Sequence, residues 1–497
     1  METLALVGKG FAIAFSAKYL LFCLAGVLIG QIIGALPGIG PSAGISILMP
    51  LTFGGDAIGS TIMFAGIYYG AQYGGTITSV LVRIPGESSS VMTSLDGYEL
   101  ARQGRAGPTL GIAAVASFIA GTLAVVGLMF AAPALARLAL WFGPPEYFAL
   151  VLLGLSALAI VGGSVLKGLI MGVLGLLLAT VGVDPQIGNP RFTFGQLWLL
   201  DGIEFLVLAV AFFGVGEVLA QADSPDSDKP VETVAKLRYA YPTWEDWKQC
   251  QGATLRGGLI GYIIGILPGA GATIASFIAY AVEKKVSRTP ERFGKGAIEA
   301  VAAPEAANNS AATGAMVPMF ALGIPGSNTT AVMLGALIMF GLRPGPALFD
   351  QNPDFIWSVM ASMYVGNVML LIMNLPLVGV FAYLLRTPYA LMYPVILALC
   401  VIGVYSHSNS VDDVLLMALF GGAGYFMKKY DYPAAPLVLG LVLEPLFENA
   451  LRQSMTISHG AFAPLIARPI TFALLAIALA LMVAPFAAWT WRRVAAR

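Results

Sequence analysis

Two Leu-Pro-Gly segments, Gly34-Ala35-Leu36-Pro37-Gly38-Ile39-Gly40 and Gly265-Ile266-Leu267-Pro268-Gly269-Ala270-Gly271, carry the first hint of chemistry in this chain. Proline removes a backbone donor and glycine releases the chain from helical dihedrals, so a helix entering either segment must break there. A break inside an apolar stretch leaves carbonyl oxygens at the end of one half-helix and amide hydrogens at the start of the next. The former suit a cation such as Na+, the latter a carboxylate. Gly34, Pro37, Gly38 and Gly40, with Gly265, Pro268, Gly269 and Gly271, are therefore candidate ion-binding positions. A packing kink or a close helix contact is the alternative use of the same residues.

A second Pro-Gly break, Ile324-Pro325-Gly326, is followed by Ser327, Asn328, Thr329 and Thr330, and its counterpart Ile84-Pro85-Gly86 by Glu87, Ser88, Ser89 and Ser90. Hydroxyls and an amide can ligate Na+ or hydrogen-bond a carboxylate without the cost of burying a fixed charge. Ser88, Ser89, Ser90, Ser327, Asn328, Thr329 and Thr330 are candidate substrate-binding residues, Ser327 and Asn328 also candidate ion ligands, and Glu87 is the one ionisable group among them. Tips that only cap a helix are the alternative. Glu305 and Asn309 are four apart and share a helix face, with Asn308 beside them. They either line a cavity, which makes Asn308 and Asn309 further substrate candidates, or form a polar helix start at the interface. Tyr68, Tyr69, Gln72, Tyr73, Thr76, Thr78, Asn367 and Asn374 add scattered polarity in apolar surroundings.

Catalytic machinery is not assembled in the sequence. His407 and His459 have no acid or cysteine at ligand spacing, and Cys23, Cys250 and Cys400 form no CxxC pair, so metal and triad chemistry lack parts. No Walker, HExxH or GxSxG sequence occurs, which leaves ATP hydrolysis and membrane peptidase chemistry unsupported. No cofactor is expected beyond a coupling ion, Na+ or H+.

The elements that must position these residues lie in a bilayer. Of the 497 residues 58% are hydrophobic and 11% charged, against about 25% charged in a soluble chain. Twenty-seven Lys+Arg balance twenty-seven Asp+Glu, which removes any case for nucleic-acid binding. Continuously apolar runs such as Gly111 to Ala132 predict helices rather than the alternating segments of a barrel. Predicted helices include Phe11 to Ile33, Ile58 to Val82, Thr109 to Ala132, Gly257 to Val282, Ala297 to Leu322 and Phe355 to Leu385. The expected fold is an all-α integral membrane protein of about 12 crossings with broken or re-entrant helices.

The chain repeats itself. GVLIGQIIGALPGIG at Gly26 to Gly40 and GGLIGYIIGILPGAG at Gly257 to Gly271 share eleven of fifteen residues. The predicted division is a first transmembrane repeat over 1–220, a polar linker over 221–256 and a second repeat with C-terminal helices over 257–497. Internal duplication with midplane breaks is the pattern of secondary transporters. Lys and Arg concentrate in cytoplasmic loops, and equivalent loops here carry opposite signatures. The loop after the first LPG segment has none, whereas Lys284, Lys285, Arg288, Arg292 and Lys295 follow the second; Arg83, Arg102 and Arg105 surround the first IPG, and only Arg343 follows the second. This predicts inverted-topology repeats. Inversion needs an odd number of crossings between Arg105 and Gly257, where four clear helices fall, so Pro133 to Trp141 is the candidate fifth.

At these motifs the chain resembles the large membrane subunit of the tripartite tricarboxylate transporters, the TctA family, over nearly its full length. The stretches that carry the resemblance are GALPGIGPSAGISILMPLTFG, SLDGYELARQGRAGPTLG, GILPGAGATIASFIAY, EAANNSAATGAMVPMFALGIPGSNTTAVMLGAL and YPAAPLVLGLVLEPLFENALRQSM. The resemblance implies a multi-pass permease of the bacterial inner membrane that works with a small four-helix membrane subunit and a periplasmic solute-binding protein. It implies import of citrate or other carboxylates on a Na+ or H+ gradient, with the signature on Gly34 to Gly40, Gly265 to Gly271, Glu305 to Ser310 and Gly323 to Thr330. Ser327-Asn328-Thr329 is also similar to a signature of sodium-coupled dicarboxylate symporters. Glu87 departs from the family pattern, where a neutral residue is usual. An anion channel or a symporter that needs no binding protein is the alternative.

Overall fold

A computed structural model describes residues 2–36, 40–83, 85–161, 164–184, 187–223, 241–269, 271–384, 389–461 and 466–495. In chain order the helices are α1 Glu2–Ala14, α2 Ala17–Ala35, α3 Pro41–Thr52, α4 Ala57–Val82, α5 Val91–Leu100, α6 Ala106–Ala139, α7 Pro144–Val161, α8 Val165–Ala179 and α9 Phe205–Ala222. They continue with α10 Trp244–Ile266, α11 Gly271–Val286, α12 Glu299–Gly314, α13 Met316–Leu322, α14 Asn328–Met339, α15 Pro346–Gln351 and α16 Pro353–Asn374. The last are α17 Val378–Leu384, α18 Tyr389–Ser408, α19 Val411–Lys429, α20 Ala434–Ile457 and α21 Pro469–Ala495. Among the described residues the only strands, Gly182–Val183 and Pro190–Arg191, pair antiparallel with Gly182 opposite Arg191. Among the described residues five helices are long and apolar enough to cross a membrane, and shorter apolar helices accompany them. The chain is thus an all-α multi-pass membrane protein.

Most departures from the predicted helices have local causes. The run from Phe11 to Ile33 is two helices because Ser16 is extended (φ −66°, ψ 147°) at the start of α2. Phe355 to Leu385 divides at Pro376, whose missing N–H removes a helical hydrogen bond, and α16 ends at Asn374. Pro133 stays inside α6, so residues 133–139 lengthen that helix instead of adding a fifth. In the polar interval 221–256 helix resumes at Trp244, where Thr243 and Asp246 cap each other's backbone. At the LPG segments α2 and α10 both stop, with Leu36 and Leu267 extended. Gly269 and Gly271 take left-handed φ of 80° and 62°, a conformation glycine adopts without a Cβ clash. Pro37 and Gly38 lie outside the described residues.

The contacts divide the chain into two compact units, 1–136 with 221–403 and 137–220 with 404–497, each drawing on both predicted repeats. The first has an alanine-rich core of Ala116, Ala120, Ala253, Ala275, Ala303 and Ala307. The second packs Met171, Leu208, Phe212, Leu437 and Leu441 together, and joins Asp184 and Glu448 to Arg191 and Arg452 in one ion network. In that second unit His407 ends α18 with Nε2 2.5 Å from Glu204 Oε2. It is therefore a helix-end residue with an acid partner distant in sequence.

Candidate functional site

All the substrate candidates fall in the first unit, built by two copies of one packing motif. Gly26, Gly30 and Gly34 of α2 press on the backbone of Met63, Ile67 and Ala71 of α4; a Cβ at Gly30 would lie 2.5 Å from the Ile67 oxygen. Gly257, Gly261 and Gly265 of α10 press in the same way on Ala303, Ala307 and Ala311 of α12, where a Cβ at Gly261 would lie 2.2 Å from the Ala307 oxygen. Each IPG tip then folds onto the end of its own glycine helix. A Cβ at Gly86 would meet the Gly34 oxygen at 2.0 Å, and one at Gly326 the Gly265 oxygen at 2.9 Å. Gly34 and Gly265 thus serve close helix approach, and Gly40 and Gly271 open α3 and α11.

Between the copies each break meets the other copy's tip, in registers one residue apart. Ser42, at the start of α3, lies 3.2 Å from Thr329 of the second tip. Thr273, its equivalent on α11, lies 2.7 Å from Ser88 of the first tip. Four helix starts are therefore joined in two pairs by hydroxyls, α3 with α14 and α11 with the Ser88–Ser90 turn leading into α5. Asn328 and Ser88, at equivalent positions, are exposed, while Ser327, Thr329, Ser89 and Ser90 are buried. Helix starts direct amide hydrogens and positive partial charge at whatever lies between them, which suits a carboxylate.

One face of α4 carries both tips. Tyr68 Oη is 2.9 Å from Ser327 Oγ, Ser89 Oγ is 2.7 Å from Gln72 Oε1, and Thr76 donates to Glu305 Oε2 at 2.6 Å. Steps of four residues set these contacts about 6 Å apart along the helix. Ser327 and Thr330 also cap each other's backbone at the start of α14, so the capping alternative describes part of what these residues do.

Glu305 is fully buried and takes donors from Thr76, from Thr93 and, at 3.3 Å, from Asn308 Nδ2. Asn309 Nδ2 donates to Asn308 Oδ1 at 2.8 Å, while its own Oδ1 and the Tyr73 hydroxyl are buried without a partner among the described residues. Glu305, Asn308 and Asn309 are all buried, so this polar face turns inward. Asp96 accepts from the backbone N–H of Gly294, Gly296 and Ala297 at 2.8–2.9 Å and from Tyr280 Oη at 2.9 Å. It ties α5 to the basic loop before α12.

Sequence reasoning missed Ser42, Thr273, Thr93 and Asp96. For the first two a signal existed: they are the polar residues two positions after each LPG segment's closing glycine, at the same offset as the glycine repeat. Thr93 and Asp96 have no repeated counterpart and no local pattern.

A profile of the tripartite tricarboxylate transporter TctA family matches residues 20–439. An Agrobacterium vitis protein described as an uncharacterized 52.8 kDa protein in the TAR-I ttuC' 3' region is 45% identical over 485 residues, 97% of this chain and 96% of that protein. A second from the same organism, described as an uncharacterized protein in the TAR-II ttuC' 3' region, is 42% identical over 219 residues, 44% of this chain and 90% of its own length. No solved structure matches the chain.

Proposed function

Because the chain belongs to the tripartite tricarboxylate transporter TctA family, we propose that it is the permease of a secondary active importer that carries a di- or tricarboxylate such as citrate together with a cation, Na+ or H+. The observation that carries this reading is the reciprocal pairing of the two tips, Ser42 with Thr329 and Thr273 with Ser88. A polyanion with carboxylates at its two ends meets helix starts on both sides, with Ser88 and Asn328 presented to it. Among the described residues no lysine, arginine or histidine bonds these groups, so the anion's charge is met by dipoles and by the co-transported cation. Break-to-tip contacts in both directions, one residue out of register, are those of halves related by an approximate two-fold axis. Opposite loop charges favour an axis in the membrane plane.

The partners belong to the same reading: a small membrane subunit, and a periplasmic binding protein that delivers the carboxylate to this chain in the bacterial inner membrane. Proteoliposome uptake tests it. Flux that saturates with carboxylate identifies a carrier, and flux that rises linearly identifies an anion channel. Saturable uptake without any binding protein identifies an independent symporter, and a chemically altered product an enzyme.

A further inference from the structure

Glu87 stands where the equivalent tip has Ser327, so one tip bears an acid and the other a neutral hydroxyl. Its side chain rests on Gly75 of α4, where a Cβ would come 3.1 Å from Glu87 Cγ, and its carboxyl bonds Ser89. Ser89 also lies 2.7 Å from Gln72 Oε1. A serine hydroxyl has one proton and cannot donate to both oxygens. With Gln72 Oε1 facing it, Ser89 donates to Gln72, and the bond to Glu87 requires a proton on the carboxyl. With the amide turned over, Gln72 Nε2 donates to Ser89 and Ser89 donates to an ionised Glu87. One set of heavy atoms thus holds both protonation states, interchanged by a half-turn of one amide.

Among the described residues no cationic side chain faces an ionised Glu87. α4 faces it with Tyr68 and Gln72, and α12 with Glu305, whose donors are Thr76, Thr93 and Asn308. On α5, Asp96 is filled by backbone N–H groups and Tyr280. On α11, Tyr280 is thereby committed, Glu283 pairs with Arg256 of α10 at 2.7 Å, and Lys284 and Lys285 are exposed. On α10, Asp246 pairs with Arg105, and Glu299 at the head of α12 takes Gln249.

An ionised Glu87 at the head of the Ser88–Ser90 turn occupies the electrostatic place of an anionic ligand and repels one. A proton relieves both effects. We propose that Glu87 is the proton-binding residue that couples carboxylate movement to H+, taking a proton from water on the side where the carboxylate enters and returning it to water on the side where it leaves. Only the carboxyl O–H bond forms and breaks. The inference rests on the importer reading and names its cation. Whatever factor the proton adds to carboxylate affinity, the carboxylate adds to proton affinity.

The test uses proteoliposomes holding the chain and its small membrane subunit, with the binding protein outside, Na+-free, with the membrane potential clamped and radiolabelled citrate as probe. Two readouts are taken: citrate/citrate exchange, and accumulation under an imposed pH gradient, inside alkaline. For one proton per citrate, one pH unit supports about tenfold accumulation, with matching internal acidification reported by a trapped dye. Glu87→Gln is expected to retain exchange and lose both accumulation and acidification. Equal pH-driven accumulation by Glu87→Gln, or accumulation in the unsubstituted protein that needs Na+ and moves no protons, would overturn this inference alone. Absent exchange in the unsubstituted protein would overturn the importer reading and this inference with it. Should Glu87→Gln fail to assemble, citrate binding to the unsubstituted protein, titrated calorimetrically in two buffers of different ionisation enthalpy, is expected to take up protons. Buffer-independent heats would overturn the proposal.

Discussion

Gly30 and Gly261 occupy equivalent turns of α2 and α10, and the duplicated packing stands or falls on them. Alanine at Gly30 would put a methyl 2.5 Å from the Ile67 carbonyl oxygen, and alanine at Gly261 one 2.2 Å from that of Ala307. A carbon against a carbonyl oxygen settles near about 3.3 Å, so each helix pair must part by roughly 1 Å. The obstacle is backbone and cannot rotate away. Overpacking of this kind costs about 1–3 kcal/mol, while replacing glycine within a helix returns about 1 kcal/mol. Gly8 of α1, with nothing within 4 Å of its Cβ position, supplies the control, because Gly8→Ala carries the propensity gain alone. The difference between control and either variant is therefore the overpacking cost by itself. Cys23, Cys250 and Cys400 are buried and unpaired as disulfides, so a thiol-reactive dye reports unfolding of the purified protein in detergent. Gly30→Ala and Gly261→Ala are expected to melt below Gly8→Ala by similar amounts. Melting of either with Gly8→Ala would refute the close approach in that half.

Asn328→Ala and Thr329→Ala are expected to abolish carboxylate uptake while leaving the melting profile within about 1 kcal/mol of the parent, the range of exposed or single-hydroxyl losses; normal uptake by both would remove them from the site. Asp96→Ala leaves three backbone N–H groups and the Tyr280 hydroxyl without their acceptor, at about 1–3 kcal/mol for each orphaned donor. A clear fall in melting temperature is expected, and an unchanged one would show that water replaces the carboxylate. If the halves are inverted, single cysteines at Gly55 and Arg288, both exposed, label from opposite sides of sealed vesicles. Labelling from the same side would defeat the inversion.

The sequence disclosed the tips because their chemistry is local. Pro-Gly breaks, a polar run after each and a glycine repeat at fixed spacing are readable along the chain, and the structure brings Ser88, Ser327, Asn328 and Thr329 into one unit with Asn308 and Asn309. What spacing could not disclose was partnership. Tyr68, Gln72 and Thr76 are weak singly, yet at four-residue steps they share the α4 face that holds both tips and Glu305. Thr93 reaches Glu305 across 212 residues, and Asp96 reaches Ala297 across 201. Nothing in a local window marks either. The two compact units also cut across the sequence repeat, since contact, unlike similarity, is not confined to one half.

The most direct measurement of the central claim is radiolabelled carboxylate uptake by proteoliposomes containing this chain and its small membrane subunit, with binding protein outside and a cation gradient across the membrane, each component omitted in turn. The account predicts saturable, concentrative uptake of citrate or another di- or tricarboxylate that collapses when this chain, the binding protein or the gradient is left out. Uptake that merely equilibrates the carboxylate, indifferent to gradient and binding protein, would contradict it.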